Sequence, residues 1–128
     1  MTKPRNDINE FPEIASLAAS AKNVVGQITL NNTRTVTLTI KATSIADATS
    51  SVRANLYYSP TGEREDWDTI PFAYFDINLV TAATTQQESK NIDAPEKGFI
   101  KLEIENLDAV KASTFIQSWL SINRWGLL

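Results

Sequence analysis

The stretch RTVTLTIKAT, residues 34–43, constrains this chain more than any other. Val36, Leu38, Ile40 and Ala42 alternate with Thr35, Thr37, Thr39 and Lys41. Successive side chains of a β-strand point to opposite faces, so a period of two collects the aliphatic residues on one side. The hydroxyls and the lysine collect on the other. A chain that carries this pattern has a strand with one dry and one wet face, and it needs a second layer to cover the dry one.

The alternation recurs. Val24, Gly26, Ile28 and Leu30 share a face and run into the turn-forming Asn31-Asn32-Thr33, so this segment and the next read as a hairpin. Val52, Ala54, Leu56 and Tyr58 form another set, closed by the turn Ser59-Pro60-Thr61-Gly62. Ala73, Phe75, Ile77 and Leu79 follow Pro71, an edge strand fits about Gln86–Asn91, and Ile100, Leu102 and Ile104 alternate after Gly98. Thr114–Trp125 is apolar on both faces, with Ile116, Leu120 and Ile122 against Phe115 and Trp119. A helix could also use Phe115, Trp119 and Ile122, but the strand reading is preferred. The strand is then either central or covered on its second face by another subunit.

These segments predict an all-β fold, an antiparallel β-sandwich of seven to nine strands, jelly-roll or immunoglobulin-like, with little helix. The predicted core is Ile28, Val36, Leu38, Ile40, Leu56, Phe75, Ile77, Ile100, Leu102, Ile104, Leu120 and Ile122. Residues 1–22 differ from the rest and read as an N-terminal arm, leaving residues 23–128 for the sandwich. Phe11–Ala21 fits a weak strand and a helical stripe about equally.

Composition then limits the chemistry. The 128 residues contain no histidine and no cysteine. This removes the usual proton shuttle, thiol catalysis, disulfides and the common zinc, haem and iron–sulfur ligands. Carboxylate, hydroxyl and lysine chemistry remain. A net charge of −3 with scattered basic residues offers no broad basic face, so no nucleic-acid partner is expected. No apolar run is long enough to span a bilayer, and none near the start resembles an export signal. A cytoplasmic site of synthesis and no membrane partner are the expectations.

Four acids, Glu63, Glu65, Asp66 and Asp68, crowd one loop, but their spacing matches no EF-hand loop. They read as a solvated loop, with no metal and no cofactor expected. Of the three tryptophans, Trp119 reads as core. Trp67, in a polar loop, reads as a lid over one end of the sandwich or as a stacking platform for a sugar. Arg124-Trp125-Gly126-Leu127-Leu128 carries apolar residues that need cover, from the chain's own core or from another subunit.

Several segments together carry a resemblance: LYYSPTGE, DWDTIPFAYFDI, APEKGFIKLEIENLD and SINRWG. Over about residues 24–125 they resemble small β-sandwich virion proteins of tailed bacteriophages, of the capsid decoration (cement) or head-fibre base type. The resemblance implies a structural protein on the capsid surface of a virion, not an enzyme. It implies the major capsid protein as partner and a homotrimer bridging neighbouring capsid subunits. Phe11, Ile14, Leu17, Trp67, Trp125, Leu127 and Leu128 are the expected partner contacts. A non-catalytic module binding glycans or a host surface through Trp67 is the alternative.

Overall fold

The computed structural model describes residues 4–44, 52–77 and 85–125. They form strands β1 (Pro4–Glu10), β2 (Ile14–Leu17), β3 (Lys22–Leu30), β4 (Thr33–Ser44), β5 (Val52–Ser59), β6 (Ala73–Ile77), β7 (Thr85–Ile92), β8 (Gly98–Asn106) and β9 (Ser113–Trp125), with no helix among them. The front sheet has the order β1-β9-β4-β7, and β2 continues the β1 edge alongside the first half of β9. The back sheet has the order β3-β8-β5-β6. Every pairing is antiparallel. With β1 and β2 taken as one interrupted strand, the chain crosses between sheets at almost every connection, in the double Greek key of a jelly roll. The immunoglobulin-like alternative would order the strands differently.

The dry faces dictate this pairing. On β4, Val36, Leu38 and Ile40 stand opposite Ile122, Leu120 and Ser118 of β9 and are sealed from solvent. On the back sheet Ala54, Leu56 and Tyr58 stand opposite Ile104, Leu102 and Ile100. Burying each aliphatic side chain contributes roughly 1.5–3 kcal/mol as an upper figure, against about 0–1 kcal/mol for an exposed ion pair. The predicted core is buried throughout except Phe75, which is half-buried on the edge strand β6. Leu79, expected beside it, lies outside the described residues.

Three expectations are corrected. The first is the arm over residues 1–22. From Pro4 the backbone is the edge of the front sheet, Pro4–Glu10 pairing with Trp125–Trp119 and Ile14–Leu17 with Ile116–Ser113. Phe11, Ile14 and Leu17 enter the core. The reason is the interruption at Phe11-Pro12-Glu13, which hides the two-residue period and lets the strand bend across the sandwich. The second is the hairpin. β3 pairs with β8 and β4 with β9 and β7, so Asn31-Asn32 crosses between sheets, with Asn32 in the left-handed region (φ 51°). The third is the face shared by Val24 and Gly26. A bulge between them turns Val24 out to solvent.

Candidate functional site

The outer face of the back sheet carries a connected set of polar and aromatic side chains. Arg53, Asn55 and Tyr57 alternate outward on β5, opposite Glu105, Glu103 and Lys101 of β8. Arg53 donates to both carboxylate oxygens of Asp76 on β6, at 2.7 and 3.0 Å, and its guanidinium lies 4.4 Å from the Tyr74 ring centre. The Asp76 hydrogen bond raises the Arg53 pKa, so the group stays charged. Asn55 Nδ2 donates to Glu103 and to Glu105, each at 3.2 Å, and this outward amide is buried beneath its neighbours. Tyr57 Oη donates to Glu103 at 3.3 Å. Burial, then the Glu103 charge, pushes the Tyr57 phenol up from its usual range.

Trp67 completes this face from the β5–β6 connection. The turn begins where Ser59 Oγ accepts from the Thr61 and Gly62 amides. Gly62 sits with φ +74°, and a Cβ there would meet the Phe99 ring at 3.0 Å, so this turn demands glycine. Further on, the Asp68 amide bonds Tyr58 O at 2.9 Å and the Phe72 amide bonds Leu56 O at 2.9 Å. The loop is thereby folded back, and the Lys101 ammonium lies 4.9 Å from the Trp67 ring centre and 5.1 Å from that of Tyr57. Trp67 is half-buried here, over the sheet face rather than over an end of the sandwich. Such a face can bind by ring stacking and by accepting hydrogen bonds at fixed carboxylates. The acidic loop beside it is internally engaged, since Thr61 Oγ1 donates to Asp66 at 2.6 Å. Among the described residues no group of three acidic side chains comes close enough to hold a metal ion.

The other expected contacts divide. Phe11, Ile14 and Leu17 are corrected from partner contacts to core residues, because their side chains fill the gap between the sheets. Trp125 is 45% exposed on the outer face of the front sheet, with the Arg34 guanidinium 4.9 Å from its ring centre. Leu127 and Leu128 lie outside the described residues. Trp119 is corrected too: it stands opposite Thr39 and Glu10 on the outer face of β9, not in the core. β9 is nevertheless central, between the β1/β2 edge and β4. A groove of about 680 Å³ opens between β6 and β7, floored by Phe72, Ala73, Phe75 and Ile92.

The sequence pattern missed the Arg53–Asp76 pair, the Asn55–glutamate cluster and the Lys101 position between two rings. Each joins residues far apart in sequence, and only the register brings them together. Asn55 was legible as outward, but nothing local distinguishes a covered outward amide from a solvated one.

No family model matches the sequence, and no curated protein matches it. Solved structures do share the fold. A chain of infectious bursal disease virus, Gx strain, is similar with TM-score 0.62 and 16% identity over 97% of this chain. The VP2 subviral particle of the same virus gives TM-score 0.60 and 12% identity, again over 97%. T=1 particles derived from that virus give TM-score 0.59 and 13% identity over 97%. This chain spans about a third of the length of those chains, 32%, 33% and 32% respectively. At such identities the likeness is one of fold.

Proposed function

We propose that this chain is a structural virion protein, a decoration or cement protein that docks on the outer face of a capsid and bridges neighbouring subunits of the major capsid protein. The observation that carries the reading is the overlay of 97% of the chain on about a third of the length of chains from virus particles. The segment resemblance to tailed-phage virion proteins points the same way from the sequence. On this reading the chain is not an enzyme and needs no cofactor, and it acts through its surface. Its place is the virion, after synthesis in the host cytoplasm. The resemblance implies a homotrimer. The test is copurification with icosahedral particles from the source virus. A fixed copy number per particle, with density for the sandwich on the shell, supports the reading. Absence from purified particles overturns it.

A second reading rests on the back sheet, where Trp67, Tyr57 and the oriented Glu103 resemble the stacking and hydrogen-bonding parts of a sugar site. Binding on a glycan array, lost in Trp67→Ala, would favour it.

A further inference from the structure

A two-sheet sandwich leaves strand edges, and each edge is a row of unpaired backbone donors and acceptors on which another strand can add. Here the edges are β1 with β2 and β7 on the front sheet, and β3 and β6 on the back sheet. The two sheets treat them differently.

The back-sheet edges are irregular. β6 is a five-residue strand that starts two residues after Pro71, and β3 breaks register at the bulge between Val24 and Gly26. Neither turns a charged side chain inward. On β6, Ala73, Phe75 and Ile77 stand opposite Leu56, Ala54 and Val52, and on β3 the buried residues are Ile28 and Leu30.

The front-sheet edges are regular. β7 pairs with β4 from Thr85 to Ile92, and β1 pairs with β9 from Pro4 to Glu10, both without a register shift. On these two strands the inward positions turn polar. Residues in register share a face, so the buried Leu38 and Ile40 place Lys90 and Glu88 on the inner side of β7. Likewise the buried Ile122 and Leu120 place Asp7 and Asn9 on the inner side of β1. Asp7 and Asn9 are tied down, by Arg124 at 2.6 Å and by Leu120 O at 3.4 Å. Glu88 and Lys90 are exposed, reaching water past the open side of β7. Charge stands where a regular edge would invite pairing, and irregularity stands where the inner face is apolar.

We infer that Glu88 and Lys90 on β7, with Asp7 and Asn9 on β1, are guards that keep the front-sheet edges from accepting another strand. The physical reason is desolvation. A strand added beside β7 would close the side past which both charged groups reach water, and burying a charge unpaired is costly. Partners then meet this chain through its outer faces and loops, and not by strand addition. The guards act in the purified chain as well as in any assembly, so they do not depend on the virion reading.

Amide hydrogen exchange over a range of concentrations tests this, because strand addition protects edge amides whatever other contacts the chain makes. In the unmodified protein the β7 amides that β4 leaves unbonded should exchange freely at every concentration. The double variant Glu88→Val, Lys90→Val should protect those amides as concentration rises. Its self-association by sedimentation should be at least about tenfold stronger. Gln87→Val with Ser89→Val places two valines on the outward side of the same strand and should leave the edge amides unprotected. Both variants should melt close to the unmodified protein, since all four side chains are exposed. Edge amides that become protected with concentration in the unmodified protein would overturn the inference. So would an inward double variant whose edge amides stay as free as those of the outward one.

Discussion

Arg124 and Asp7 close one end of the sandwich: the Arg124 guanidinium Nε donates to Asp7 Oδ2 at 2.6 Å. The same guanidinium reaches Asn31 O and Thr29 O, both at 2.8 Å, and so ties the edge strand β1 to the crossing between sheets. Two of its partners are backbone carbonyls at a turn, so truncation removes more than an ion pair. Arg124→Leu should cost about 2–3 kcal/mol, read as a lowered urea midpoint. Asp7→Asn should cost no more than about 1 kcal/mol, because the Asp7 side chain is partly exposed and solvent replaces much of the pair. Equal losses in the two variants would contradict this account.

Phe11 plugs the gap between β1 and β3, its amide bonded to Ser118 O at 3.0 Å and its ring against Gly26. A Cβ at Gly26 would lie 2.7 Å from Phe11 Cδ1, so Gly26→Ala must displace a buried ring. Phe11→Ala should cost about 3–5 kcal/mol as a large-to-small core change. Gly26→Ala should be destabilising alone and milder combined with Phe11→Leu, which a double-mutant cycle in urea measures. Removing residues 1–22 should unfold the domain, since it strips Phe11, Ile14 and Leu17 from the core. A truncated protein with an unchanged melting temperature would restore the arm.

The contrast between Val36 and Phe11 shows what the sequence could tell. Val36 sits in an uninterrupted run of alternation, and its face, its strand and its burial were all legible from spacing. Phe11 sits beside Pro12 where the alternation stops, and its burial depends on a glycine and a serine in other strands. The back-sheet face follows the same division. Outward residues were readable strand by strand, but which carboxylate meets which amide depends on register, and register is a property of pairs. Trp119 was misplaced because apolar character alone does not say whether an outer face is covered.

Tyr57 gives the alkaline end of the stability profile. Its phenol is raised from the usual value of about 10 by burial and by Glu103. A group whose folded pKa lies above its unfolded value contributes stability that is present below the unfolded value. That contribution is lost as the pH rises through the folded one. Stability should therefore fall above about pH 10, and Tyr57→Phe should flatten that fall. The difference in tyrosinate absorbance between the two proteins, followed against pH, should show a phenol titrating above the ordinary value. A titration at or below it would mean that Glu103 and burial do not act on this ring.

Asn106 should be the most sensitive polar position. Buried at the end of β8, its Nδ2 reaches Leu17 O at 3.1 Å, Ala18 O at 3.3 Å and Lys111 O at 2.8 Å. Its Oδ1 accepts from the Asp108 amide at 3.0 Å. The backbone repeats the link, Asn106 N to Ala21 O at 2.9 Å and Ser20 N to Asp108 O at 2.9 Å, so this side chain joins the β2–β3 and β8–β9 turns. Asn106→Ala should cost about 3 kcal/mol, because several carbonyls lose a buried donor at once. Asn106→Asp separates shape from donation. A carboxylate would face three carbonyl oxygens, so its pKa would be raised in the fold. The variant should then be weakest near neutral pH and should recover as the pH falls toward about 4, where the protonated acid can donate again. Urea unfolding of both variants across that range checks the sign. A deficit in Asn106→Asp that grows on acidification would mean that the amide acts there as a spacer, with packing rather than donation holding the two turns together.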